Sequence, residues 1–370
     1  MAGDIGITES IVVSSAMGAA GAGGPILHEY GPNIRIRIGG APPGPAGAPM
    51  NESVFSENER LGLSALRLRE SSSYLSQKEK RPYRSEAWAR GPSPLHRREQ
   101  AIISPSGGPP GGGGAGGTGG GAGGTPGGPS AAPLAKRLSG RVAVGIIMVS
   151  GSGPLVLTNA QQIKIAAEVQ NGLSWLGAQS PAKDVTWVHD NHHATVAVAP
   201  STGPTGDTQW EHFEGPWRDA ALSQLGFAAG ASGVNAYISA LKTSKSANAA
   251  YCAFFTHYPL NHFAYCTGPY LVMHYENDGW GPDNLDSVFA HESGHVFGAP
   301  DEYAESGCNC GGSHGFFSKP NINCENCAPD GGVDCIMKRN SWSMCSVTPY
   351  HLGYNGLPAV APSAPAPHVA

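Results

Sequence analysis

The chain contains His291-Glu292-Ser293-Gly294-His295-Val296-Phe297-Gly298-Ala299-Pro300-Asp301, in which two histidines four residues apart enclose a glutamate. On a helix, positions four apart share one face a turn apart, so both imidazoles reach one ion. Gly298 ends such a helix cheaply by taking a left-handed conformation, and Pro300 keeps the chain from resuming it. Asp301 is thereby brought back as a third ligand, with His314, in its glycine-flanked loop, as the rival. Three protein ligands leave one position for water, the pattern of a catalytic rather than a structural zinc site. Zinc makes such a water acidic near neutrality and polarises a carbonyl oxygen. Glu292, beside the first ligand without being one, is placed to accept the water's proton and return it to a leaving amine. Replacing a third imidazole by a carboxylate lowers the site's formal charge and implies a weaker Lewis acid.

A helix is needed under this motif, and the flanks supply one. Asp283 or Asn284 can start it, and Leu285, Val288 and Phe289 give it an apolar face. Upstream, Val142, Val144, Ile146, Ile147 and Val149 predict a buried strand ending at Gly151. Thr158 with Gln161 forms a capping box for an amphipathic helix over 159–177. A hairpin around Asp190-Asn191 is expected between 185–189 and 194–199. Helices over 217–225 and 233–241 follow, then β stretches at 251–258, 262–266 and 270–275. These make an α+β domain large enough for one substantial core.

The extended motif His291–Asp301 resembles the metzincin branch of zinc metallopeptidases, with aspartate at the last position similar to the snapalysin-type variant. Metzincins place a methionine in a tight turn beneath the metal. Cys335-Ile336-Met337, followed by Ser343-Met344-Cys345-Ser346, is similar to the corresponding stretch of the adamalysin/reprolysin group. The resemblance implies a metzincin-like zincin domain with a mixed twisted sheet and an active-site helix. It implies a zinc-dependent metalloendopeptidase with His291, His295 and Asp301 as ligands, Glu292 as general base, Met337 beneath the metal and a protein or peptide as substrate. It also makes the strand at 262–266 a candidate substrate edge. The chain departs from some metzincins in carrying Arg339, not tyrosine, two residues after the methionine. A catalytically inactive, metal-stabilised binding module is the alternative.

The rest of the chain divides unevenly. Gly107–Gly128 holds 15 glycines in 22 positions, the composition of a flexible linker. Residues 1–138 carry 14 basic and 10 acidic side chains, whereas 139–370 carry 9 and 18. The expected organisation is a largely disordered region over 1–106, a linker over 107–138, the peptidase-like domain over 139–356 and a flexible tail over 357–370. Within 1–106 the one helical-looking piece is 59–80. A basic nucleic-acid arm or a pro-segment cut near Arg97-Arg98 are alternatives, but acidic residues interrupt the basic ones and no nucleic-acid module is recognisable. All eight cysteines lie beyond residue 250. Cys308, Cys310, Cys324 and Cys327 suit disulfides or, alternatively, a second structural zinc; Cys335 and Cys345 bracket the methionine turn and can bridge it; Cys252 and Cys266 would face each other across a turn at Pro259. This cysteine content favours an extracellular setting, although Met1–Gly24 lacks the basic start of a secretory signal. No apolar run is long enough for a membrane span, and the sequence is silent on oligomeric state.

Overall fold

The computed structural model describes residues 9–13, 24–39, 52–88, 136–204, 209–276 and 279–359. The strands are β1 (Glu9–Val13), β2 (Ile26–Glu29), β3 (Ile34–Ile38), β4 (Arg141–Ser150), β5 (Thr186–Thr195), β6 (Ala249–Thr256), β7 (Ala264–Cys266) and β8 (Tyr270–His274). The principal helices are α1 (Glu57–Glu70), α2 (Ser72–Lys80), α3 (Asn159–Ala178), α4 (Trp210–Gln224), α5 (Gly230–Ser244), α6 (Leu285–Val296) and the short α7 (Thr348–Leu352).

All eight strands join one sheet in the order β1-β3-β2-β5-β4-β6-β8-β7. Its middle, from β2 through β8, is parallel, and antiparallel pairing is confined to β1, β3 and the edge strand β7. β4 explains the layering. Val142, Val144, Ile146 and Met148 join a core with Val169 and Leu173 of α3 and Val288 and Phe289 of α6. The alternate residues Ala143, Ile147 and Val149 join a second core with Trp217 and Leu222 of α4 and Val234 and Ile238 of α5. Period-two alternation of uniformly apolar residues thus buries both faces of a central parallel strand. The mixed sheet is as expected, but helices on both of its faces make the arrangement α/β rather than α+β.

Three other expectations are corrected. The region expected to be largely disordered contributes β1–β3, α1 and α2. Its apolar residues find their partners in the same chain: Leu27 enters the main core, and Tyr30, Ile34, Ile36, Phe55, Leu63 and Leu66 form a cluster of their own. Ser56 and Glu59 form a capping box at the start of α1, and the helical piece divides at Ser71, the N-cap of α2. The expected hairpin at Asp190 is one continuous strand, β5, because β4 pairs with it residue by residue from Arg141–Thr186 to Ser150–Thr195. Cys252 and Cys266 do not face each other: β8 lies between their strands, with Cys252 opposite Tyr270 and Cys266 opposite Leu271. The Gly-rich segment through 135, the start 1–8, the stretches 14–23, 40–51 and 89–106, and the tail from 360 lie outside the described residues. Among the described residues, no helix is long and apolar enough to cross a membrane.

Candidate metal centre

α6 carries the motif and ends where the sequence requires. Gly298 adopts φ 85°. Its N–H donates to the His295 carbonyl at 2.9 Å, and that of Ala299 donates to the Gly294 carbonyl at 3.1 Å. This pair of bonds is the Schellman closure, and it satisfies carbonyls that a helix end leaves open. The turn presents the Ala299 carbonyl to His295, whose Nδ1 lies 2.8 Å from it. His291 Nδ1 lies 3.1 Å from the Ile336 carbonyl. A carbonyl only accepts, so both rings carry their proton on Nδ1 and direct the Nε2 lone pair the other way.

Those lone pairs converge. His291 Nε2 is 3.1 Å from His295 Nε2, and Asp301 Oδ1 is 3.3 Å from the first and 3.2 Å from the second. A tetrahedral ion with bonds of about 2.0 Å would separate its ligand atoms by about 3.3 Å. The near-equilateral triangle has that edge. Two lone pairs and a carboxylate oxygen crowded together repel one another unless a cation sits among them. The residues therefore fit a divalent metal. Asp301, not His314, completes the triangle; His314 sits beside His351, with ring centroids 5.9 Å apart.

Glu292 is buried with Oε2 unpartnered by any hydrogen bond. Burial, and next the charge of Asp301, push its carboxyl well above the ordinary range. A carboxylate oxygen of Glu292 lies within 4.8 Å of a ring nitrogen of each histidine. Met337 is fully buried beneath α6, so close that a Cβ on Gly294 would meet its Sδ at 2.7 Å. The Met337 carbonyl accepts from Glu302 N–H at 3.0 Å, tying the methionine turn to the segment that carries Asp301.

Some site-building residues escaped the sequence reading. Trp88 donates from Nε1 to the Ile336 carbonyl at 2.7 Å, the oxygen that also serves His291. Its ring lies 5.1 Å from that of His291. The backbone around it pairs with the methionine turn through Ser85 N to Asn340 O at 2.7 Å and Asn340 N to Glu86 O at 2.9 Å. At the other end of α6, Asp286 is buried against Lys78 at 2.7 Å and Arg81 at 3.0 Å. Burial pushes the Asp286 carboxyl up, but these two cations outweigh it and hold the carboxyl below its usual value. Lys78 also pairs with the buried Glu168 of α3. A lone tryptophan after Ser85-Glu86-Ala87 was the only local hint of this contact.

The cysteines resolve into two groups. Cys308 is bonded to Cys324 and Cys310 to Cys327, so these four form disulfides rather than a thiolate zinc site. Cys335 and Cys345, expected to be able to bridge, are free and buried. A separate cavity of about 310 Å³ is lined by Glu57, Asn58, Gln162, Asn191, His192 and His193, and none of the three converging residues borders it. Compared with known proteins, the chain matches no family model and no curated sequence.

Proposed function

We propose that the chain is a zinc-dependent endopeptidase of the metzincin type that its motif resembles. The observation that carries this reading is the ligand triangle of His291, His295 and Asp301, beside an unpartnered carboxylate oxygen of Glu292. Zinc in that triangle supplies Lewis acidity toward a carbonyl and toward water. The chain's own groups do the rest. The Ile336 and Ala299 carbonyls fix both imidazoles in the tautomer that presents Nε2. Glu292 Oε2, held without competing donors, takes the proton of the attacking water and hands it to the amine nitrogen as the peptide bond breaks. The edge position of β7, which packs against α6, supports its role as the strand to which an extended peptide adds. The two disulfides are compatible with an extracellular setting.

A second reading has one observation in its favour. His291, Glu292, His295 and Asp301 are only 2–5% exposed, which suits a metal that stabilises a binding module without turning over substrate. Glu292→Gln decides between them, because it keeps shape while removing the base. The endopeptidase reading expects unchanged zinc per chain and a loss of about 10²–10⁴ in the cleavage rate of a mixed peptide pool. A wild-type chain that holds zinc but cleaves nothing, or a variant that cleaves as fast as wild type, overturns it.

A further inference from the structure

Directly behind Asp301 lies a second group of donors. Glu302, Cys335 and Cys345 are buried, and one ligand atom from each falls within 4.8 Å of the others. Cys345 Sγ is 3.1 Å from Glu302 Oε1. Thr348 Oγ1 stands 2.9 Å from that oxygen, 3.1 Å from Cys345 Sγ and 3.5 Å from Cys335 Sγ. The Thr348 N–H also points at Cys345 Sγ, at 3.4 Å. Four donor atoms thus enclose one small volume. The remaining oxygen, Glu302 Oε2, accepts from Asn323 Nδ2 at 2.6 Å. No ion pair neutralises the buried Glu302 carboxylate among the described residues.

We propose that Glu302, Cys335 and Cys345, with Thr348 Oγ1 at the fourth corner, form a second and structural metal site for one zinc ion. Two thiolates with one carboxylate are a borderline-soft donor set, which suits zinc rather than calcium or magnesium. Tetrahedral zinc with sulfur bonds of about 2.3 Å and oxygen bonds of about 2.1 Å has sulfur–oxygen edges of about 3.6 Å. The sulfur–oxygen separations present are 3.1 to 3.5 Å and the oxygen–oxygen separation is 2.9 Å, so the donors need to move apart by at most about half an ångström. Loading breaks the S–H bonds of Cys335 and Cys345, releases two protons to solvent and forms two metal–sulfur bonds, with no change in oxidation state. Because both thiols must lose their protons for the ion to bind, its affinity rises with pH. The site clamps the residue after Asp301 to the residue two before Met337. It stands whether or not the first centre hydrolyses anything.

Cobalt(II) reports on it directly. The full chain, freed of metal and reloaded with cobalt, should bind two ions and show a near-ultraviolet thiolate-to-cobalt charge-transfer band. The His291, His295 and Asp301 centre has no sulfur, the four cysteines in disulfides offer no thiolate, and the other two free cysteines, Cys252 and Cys266, are buried on strands separated by β8. Cys345→Ser should remove the band and one ion, whereas His291→Ala should remove the other ion and leave the band. If Cys345→Ser does not fold, the wild-type spectrum and stoichiometry still decide. One cobalt per chain without the band overturns the proposal, whether peptide mapping then finds Cys335 joined to Cys345 or two free thiols. A band that persists in Cys345→Ser also overturns it. Loss of peptide cleavage in Glu292→Gln leaves the band unchanged, so the two readings fail separately.

Discussion

At its C-terminal end, α6 is organised by its own neighbourhood: the carbonyl that orients His295 is four residues away, and the Gly298 turn that presents it follows the helix directly. At its N-terminal end the same helix depends on strangers. Arg81, which neutralises Asp286, lies 205 residues earlier in the chain, and Lys78 joins that carboxylate to Glu168 of α3. Three converging candidate ligands can therefore be written into eleven consecutive residues, while the support that keeps their helix in place is distributed across the molecule. Local closure needs only backbone bonds. Burying a charged helix end needs opposite charges brought from elsewhere.

Breaking the distant half should have the largest effect on stability. Lys78→Met leaves Glu168 without one of its lysines and Asp286 with Arg81 alone, and should cost about 3 kcal/mol in urea unfolding. The folded fraction should still bind zinc with normal stoichiometry, because the ligand triangle is built locally. Unfolding at the wild-type urea concentration would mean that α2 does not hold α6. Trp88→Phe tests a place where the two halves meet. It keeps the ring against His291 but removes the donor to the Ile336 carbonyl, and should weaken zinc binding about tenfold in a chelator competition. Equal affinity would reduce Trp88 to filling space. The smallest effect belongs to the local half: Gly298→Ala forces a side chain into the left-handed region and should lower stability by about 1 kcal/mol, read as a drop in thermal midpoint. A more stable variant would show that another residue tolerates this turn.

What could be read from the sequence follows the same division. The helix 159–177 and its capping box, the strand from Arg141 and the left-handed Gly298 all emerge as expected, because each is specified by residues within a turn or two of one another. The convergence of His291, His295 and Asp301 was legible for the same reason. The N-terminal layer was not, even though Ile34-Arg35-Ile36-Arg37-Ile38 alternates as a half-buried strand should. Composition alone undervalued it: apolar groups too few to make a core unaided suffice when another part of the chain supplies the opposing face. β5 was divided at Asp190 for a related reason. Polar residues in the middle of an apolar stretch suggest a turn until pairing with β4 carries the strand past them.

A single peptide oxygen, that of Ile336, receives the indole of Trp88 and the imidazole of His291 together. Segments 248 residues apart consequently converge on one atom. Displacing the segment that ends at Trp88, by an antibody or a protease, should therefore disturb the orientation of His291 without any change in the sheet.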